Sequence, residues 1–415
     1  MAKSKAAPQN KHALAFIFIT VVLDMLALGV IIPILPNLVV SLVGGNQVQG
    51  ALMNGVFGTV FALMQFVFSP ILGSLSDRFG RRPVILLSNL GMGLDYMVMA
   101  LAPTVGWLFL GRIISGITSS SITAAFAYIA DSTTPKTRAA GFGILGAAFS
   151  IGFVVGPGVG GWLGNMNPRL PFWVAGGLSF LNFLYGYFVL PESLKASRRS
   201  PFSWKKANPV GSLKLLRSHS ELLGLAWITF IDNLAHGVFA SVFVLYAAYR
   251  YHWDEKTIGL SLMLVGISTG IVQGGLIRPF VKRFGEKLSL LIGLGFGMIG
   301  FAAFGWAPTG MLFCFGIPIL SLWGLAGSPI QSLMSQRVRP TEQGQLQGAN
   351  GSIRAIAELA APFIFTGIYA YFIAPERTQP LPGSPFYLAS LFVFINLILA
   401  YWVTRAIKHP VRRKA

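Results

Sequence analysis

Charge is the scarcest ingredient of this 415-residue sequence. Asp, Glu, Lys and Arg together make up 11% of it, against roughly 25% in soluble globular chains. So few charges cannot cover the water-exposed surface of two or three soluble domains, the ordinary expectation for this length. Acidic residues are the rarer kind, 13 against 32 Lys and Arg, giving a formal net charge of +19. Cysteine is almost absent. Cys314 stands alone in an apolar run, which excludes a disulfide framework and a Cys-based metal centre. No nucleophile–base pair or metal cluster occurs at useful spacing, so no enzyme is expected.

Apolar residues are abundant: 54% of the chain, with a mean hydropathy of +0.66. They fall into twelve runs long enough to cross a bilayer as helices. The runs are 13–35, 50–72, 84–102, 107–130, 139–163, 171–190, 222–248, 258–278, 288–306, 310–333, 346–372 and 385–405, numbered below as spans 1 to 12. Internal Gly and Pro are compatible with membrane helices. Lys3, Lys5 and Lys11 before an apolar stretch imitate a signal peptide. The stretch carries Asp24 and has no clear small-residue cleavage site, so it reads as a retained first helix.

The basic residues are distributed unequally. The tails and the loops after spans 2, 4, 6, 8 and 10, with Arg278 and Arg405 at the adjoining ends of spans 8 and 12, hold 26 of the 32. That side is cytoplasmic by the positive-inside rule, with both termini on it. The expected location is a plasma membrane, crossed many times, and a bacterial inner membrane in particular. The connection 191–221 carries Lys195, Arg198, Arg199, Lys205 and Lys206. It reads as an orientation signal near anionic lipid, and no nucleic-acid partner is expected. It divides the chain into an N-terminal six-span bundle, 1–190, and a C-terminal one, 222–415.

The halves repeat. At an offset of 205, Arg78-Phe79-Gly80 falls on Arg283-Phe284-Gly285 and Ala102-Pro103-Thr104 on Ala307-Pro308-Thr309. Pro135, Gly143, Gly146 and Pro157 fall on Pro340, Gly348, Gly351 and Pro362. After a nine-residue insertion the offset becomes 214, and Asn182 meets Asn396. The expected fold is therefore an all-α membrane protein of twelve transmembrane helices in two pseudo-symmetric six-helix bundles. Like-oriented halves imply an axis along the membrane normal and a substrate path between them. A rocking transporter needs that arrangement; a channel does not.

Three motifs stand out. Between spans 2 and 3 runs Gly73-Ser-Leu-Ser-Asp77-Arg78-Phe-Gly80-Arg81-Arg82-Pro83, and span 4 opens with Gly111-Arg112-Ile-Ile-Ser-Gly116. Span 5 carries Gly143, Gly152, Gly156-Pro157 and Gly160-Gly161. Together these resemble the signatures of the major facilitator superfamily, the last being similar to the antiporter motif of its proton-coupled drug exporters. Leu23-Asp24 through Gly29, Pro33 and Pro36, then Ala62-Leu-Met-Gln65, Leu94-Asp95-Tyr96 and Ala130-Asp131 resemble the tetracycline/proton antiporters in the same order.

The residues suggest roles. Gly73 and Gly80 would permit tight turning and close approach. Asp77 suits a helix N-terminus or a cation, and Arg81 is placed to pair with Asp131. Such contacts, with Arg78 and Arg82, would hold one face closed and break as the halves rock; the plainer alternative is that the arginines only fix topology. The span 5 glycines would let helices pack backbone to backbone, and Pro157 would add a bend.

Asp24 and Asp95 lie near mid-membrane, where a charge costs at least about 2.5–3.5 kcal/mol. Each should be paired, protonated or hydrated. Arg112 is the natural partner for Asp24, and the three suit proton handling, the alternative being a permanent ion-pair network. Gln65 and Tyr96 are candidates for substrate contact.

The second half departs from the tetracycline pattern: the family's span 9 acid falls on Gly297 and its span 8 histidine on Thr269. Instead Asp232 and His236 share a helix face in span 7, and Arg354 and Glu358 share one in span 11. The first pair suits proton coupling. The second would either neutralise itself or meet the substrate. Phe239, Phe243, Trp323, Met334 and Phe363 suit a permissive apolar pocket.

The resemblance implies a proton-coupled exporter of an amphipathic, tetracycline-like drug, functional as a monomer in membrane lipid. It implies no permanent cofactor, protons as coupling ion, and a divalent cation arriving chelated to the substrate. The alternatives are a transporter of another metabolite or siderophore, or a non-transporting membrane receptor.

Overall fold

A computed structural model describes residues 11–119, 121–134, 137–202, 213–217, 220–339 and 342–406. Outside them lie Lys3 and Lys5, the loop residues Lys205 and Lys206, the C-terminal tail, and Pro135 and Pro340 of the repeat. The described residues are mostly helical, with no strand among them. Backbone polar groups in a bilayer must bond within their own segment, and a helix does so.

The helices run α1 Lys11–Ile31, α2 Leu35–Leu42, α3 Gln47–Phe79, α4 Arg81–Leu101, α5 Val105–Thr118, α6 Ser121–Ser132, α7 Arg138–Met166 and α8 Leu170–Val189. After the short α9 Lys214–Arg217 come α10 Ser220–Tyr251, α11 Glu255–Ile271, α12 Ile277–Trp306, α13 Gly310–Ser321, α14 Gly327–Ser335, α15 Gln343–Phe372 and α16 Ser384–Ala406. Among the described residues 11 helical stretches are long and apolar enough to span a membrane. The longest, Glu255–Trp306, takes in two predicted spans, run together across Gly285 at φ +74°. The twelve-helix architecture read from the sequence therefore stands.

Two segments depart from α geometry. Val272–Leu276 forms a π turn in span 8. Leu322–Leu325 forms a 3-10 turn that breaks span 10 into α13 and α14.

The chain clusters into two compact units. The first comprises residues 1–38, 63–208 and 254–263. There α1 packs on α7 and α8, and α4 on α5 and α8. The second comprises 39–62, 209–253 and 264–415. There α10 packs on α15 and α16, and α12 on α16 and the 3-10 turn. The repeat is visible in side-chain contacts. Asn182 Nδ2 donates to the Thr20 carbonyl (2.9 Å), and Asn396 Nδ2 to the Ile228 carbonyl (3.1 Å). Many large apolar side chains face outward, including Leu101, Phe188 and Met311, as a lipid-facing surface requires.

Candidate functional site

In the first unit four helices bring polar side chains together. Asp95 on α4 is fully buried. Ser115 Oγ on α5 donates to Asp95 Oδ2. Arg112, one turn earlier and 7% exposed, donates from Nη2 to Ser115 Oγ (3.2 Å) and reaches Met99 Sδ (3.4 Å). The guanidinium thus meets the carboxylate through a hydroxyl. Gly111 makes this possible: a Cβ there would lie 2.8 Å from Asp95 Oδ1. Removing either charge would leave the other buried with one partner fewer, which is costly.

Asp24 on α1 is half-buried and accepts a hydrogen bond from Asn182 Nδ2 of α8 (2.8 Å). Asn182 is a partner of Asp24 that the sequence reading did not name. The available signal was the repeated Asn182/Asn396 pair, which marks a packing position carrying an amide. Tyr96 is fully buried, its Cβ 3.6 Å from where a Cβ on Gly176 of α8 would lie. It packs α4 on α8. Gln65 on α3 is half-buried.

In the second unit Asp232 and His236 do share a face of α10, and one side chain touches both. Trp323 Nε1 donates to Asp232 Oδ1 (2.9 Å), and the His236 ring centroid lies 5.6 Å from that of Trp323. Phe239 and Phe243 stack into the adjoining core with Phe301, Phe304 and Phe313, and Met334 is fully buried. Phe363 on α15 does not join them: it is 72% exposed. Arg354 Nε pairs with Glu358 Oε1 (2.7 Å), with side chains 68% and 39% exposed.

The turn between spans 2 and 3 is a dense polar knot. Gly80 adopts φ +111°, a conformation that side chains rarely accept. Gly285 repeats the positive φ, at +74°. In each turn the preceding arginine lies over the phenylalanine beside it, Arg78 over Phe79 (5.0 Å) and Arg283 over Phe284 (5.5 Å). Gly73 plays no such part: it lies inside α3, and a Cβ there would meet only Thr123 at 3.8 Å. Asp77 occupies the last turn of α3 rather than a helix N-terminus, and its cation is Arg81 (Nη1–Oδ1 2.6 Å). Arg81 also pairs through Nε with Asp131 Oδ2 (2.9 Å) and donates to Ser76 Oγ (2.9 Å). One guanidinium therefore ties α3, α4 and α6 together.

The sequence reading missed Glu192. Its carboxylate accepts from the Arg81 backbone N–H (2.9 Å), the Arg82 N–H (3.3 Å) and the Leu194 N–H (2.9 Å). It caps the N-terminus of α4, where a negative charge is stabilising. Arg82 closes the knot by donating to the Tyr187 carbonyl and lying over the Tyr187 ring (5.8 Å). In the second unit Glu286 takes hydrogen bonds from Ser332 and from Gln336 Nε2 (3.0 Å).

The span 5 motif is a packing stripe. A Cβ on Gly156 would lie 2.7 Å from Gly29 Cα, and one on Gly29 would lie 2.7 Å from the Gly152 carbonyl and 3.2 Å from Pro157. Gly160 continues the stripe against Val30, while Gly161 turns to Gly259 (3.0 Å). Gly143 has nothing within 4 Å of its Cβ position and belongs to the motif in sequence only.

Sequence and structure comparisons agree with this geometry. The family model described as Major Facilitator Superfamily matches residues 17–362. The class C tetracycline resistance protein of Escherichia coli is 39% identical over 363 residues, covering 87% of this chain and 91% of that protein. The class G tetracycline resistance protein of Vibrio anguillarum is 37% identical, covering 84% and 88%. The crystal structure of the human organic anion transporter MFSD10 (TETRAN) matches with a TM-score of 0.69 at 22% identity, over 95% of this chain and 100% of that one. With its repeated halves, glycine stripe and arginine-centred turn, the chain belongs to the major facilitator superfamily of membrane transporters.

Proposed function

We propose that this protein exports an amphipathic, tetracycline-like small molecule in exchange for protons, by alternating access of its N- and C-terminal six-helix bundles. The observation that carries the reading is the Asp95–Ser115–Arg112 chain: a fully buried carboxylate, joined to a cation through a hydroxyl. A carboxylate placed so is costly to leave charged unless its partners stay in place, so its protonation and the helix arrangement are coupled. A proton enters from outside onto a carboxylate among Asp24, Asp95 and Asp232 and leaves toward the cytoplasm. The ionised group then attracts the substrate. Where the drug travels as a chelate with a divalent cation, Asp24 or Asp95 meets the complex. Gln65, Tyr96, Arg354 and Glu358 are the proposed substrate contacts.

The Asp77–Arg81–Asp131 network, with Arg78, Arg82 and Gly80, forms the gate. The excess of Lys and Arg on one side supports a cytoplasmic position for that turn and both termini, in a plasma membrane. The protein acts as a monomer, with lipid around it and no nucleic-acid partner. The names of the class C and class G relatives support the drug assignment.

Reconstituted protein in a pH gradient should move protons on addition of tetracycline, and Asp95→Asn should insert normally and lose that response. No proton movement in the unaltered protein would sink the drug assignment. A second reading, another metabolite as cargo, is favoured by Gly297 standing where the tetracycline pattern has an acid. A drug-susceptibility panel in an efflux-deficient host separates the two.

A further inference from the structure

Position 297 has no side chain, and the fold fills the space from another helix. A Cβ on Gly297 would lie 2.8 Å from both Cδ1 and Cγ of Trp323, so the indole rests directly on the α12 backbone. From that seat Nε1–H reaches Asp232 Oδ1 at 2.9 Å. The ring is 8% exposed and is closed in by Phe301, edge-on at 5.1 Å, and by His236. Indole N–H only donates, so its fitting partner is an ionised carboxylate rather than a carboxylic acid.

The backbone around the pair is unusual on both sides. Trp323 belongs to the 3-10 turn Leu322–Leu325. That turn faces the π turn Val272–Leu276, a Cβ on Gly324 lying 3.5 Å from Val272 Cγ1. Two neighbouring helices therefore leave α geometry beside one part-buried hydrogen bond, and such departures mark hinges and functional sites. The other titratable groups nearby are His236, one turn along α10, and Arg354 and Glu358 of α15. The latter two act electrostatically on His236 and pair with each other.

We infer that Trp323 is the positioning residue of the second-half proton site: seated in the Gly297 notch, it aims the Asp232 carboxylate and links its protonation to the break in span 10. The inference rests on the reading of the chain as a proton-coupled exporter. A proton arriving from outside water adds to Asp232, the indole N–H then faces a neutral acid, and the weakened bond frees the 3-10 turn. Loss of the proton to the cytoplasm restores the bond.

The test uses the full chain in proteoliposomes with tetracycline as probe. Trp323→Phe keeps a ring in the notch and removes the donor. Gly297→Ala keeps the donor and displaces it. Both should lower pH-gradient-driven transport by about tenfold more than substrate counterflow, the loss expected for a hydrogen bond to a charged group. Both should also displace the pH midpoint of driven transport. Asp232→Asn combined with Trp323→Phe should be no worse than Asp232→Asn alone. A readout independent of transport is the fluorescence difference between unaltered protein and Trp323→Phe, which should titrate with pH and stop titrating in Asp232→Asn. An unchanged pH midpoint in both variants, or equal losses of driven transport and counterflow, would overturn the inference. Fluorescence that titrates as stated in a protein that moves no protons with any drug would leave the pairing standing and remove the exporter reading.

Discussion

Asn182 holds the carboxylate of Asp24 from the neighbouring helix, its Nδ2 lying 2.8 Å from Oδ1 while the same nitrogen serves the Thr20 carbonyl at 2.9 Å. Its repeat mate Asn396 makes the carbonyl bond, to Ile228 at 3.1 Å, while Asp232 takes its donor from Trp323. The scaffold contact is duplicated and the contact to the carboxylate is not.

Replacing the two asparagines should therefore have different effects. Asn182→Ala removes a hydrogen bond to a charged group, worth about 1.5–3 kcal/mol, and should cut proton-driven transport about tenfold or more. Asn396→Ala removes a neutral bond worth about 1 kcal/mol. It should lower the melting temperature in detergent and leave transport per folded molecule within twofold, roughly. Equal transport losses in the two variants would contradict the distinction.

Arg81→Lys should behave as a severe substitution although it keeps the charge. The guanidinium serves Asp77, Asp131 and Ser76 at once, and an ammonium lacks that planar fork. Efflux should fall by about tenfold, the scale of one lost charge-assisted bond. Asp131→Asn should fall less far, and the double variant should match Arg81→Lys alone, since the residues share one network. Additive losses in initial-rate measurements would argue against a single network.

The glycine stripe predicts a contrast within one motif. A methyl on Gly156 overlaps the Gly29 backbone, whereas one on Gly143 meets nothing. Gly156→Ala should destabilise by about 1–3 kcal/mol, the usual cost of overpacking, and Gly143→Ala should be neutral. Thermal unfolding of the two purified variants checks this.

Asp254 caps α11, its Oδ1 accepting from the Thr257 N–H at 2.9 Å. The Thr257 side-chain and backbone hydrogen bonds hold its carboxyl below the ordinary value. Its contribution is therefore fully present above the unfolded-state pKa of about 3.9 and is lost as pH falls through the depressed folded value. Asp254→Asn keeps the cap and loses the titration. It should flatten the acid limb of the stability profile below about pH 4. An acid limb identical to that of the unaltered protein would remove Asp254 from it.

How far the site can be read from sequence depends on where each partner lies. The twelve spans follow from hydropathy, and the repeat follows from residues that shape backbone, such as Gly80 and Gly285. Arg81 and Asp131 are legible because each stands at the end of a span, on the same side of the bilayer. Glu192 is not, because it lies 111 residues from the Arg81 amide it accepts from and looks like any loop acid. Trp323 is legible only as an apolar pocket candidate: aromatics make up 13% of the chain, and nothing local marks the one whose N–H meets a half-buried carboxylate. Phe363, which is 72% exposed, shows the converse: spacing alone does not say which aromatics are buried.

The π turn at Val272–Leu276 bears on how this chain tolerates change in length. A π turn holds one residue more than the α-helical turn it replaces. Deleting a single residue there would give an uninterrupted helix, with the flanking side chains still in phase. Deleting one elsewhere in the span would swing everything beyond it by about 100°, the angle per residue of an α-helix. The span thus has one place where a codon can be lost without turning its buried face toward lipid, and an alignment of its two ends on a regular helix should place its gap at 272–276.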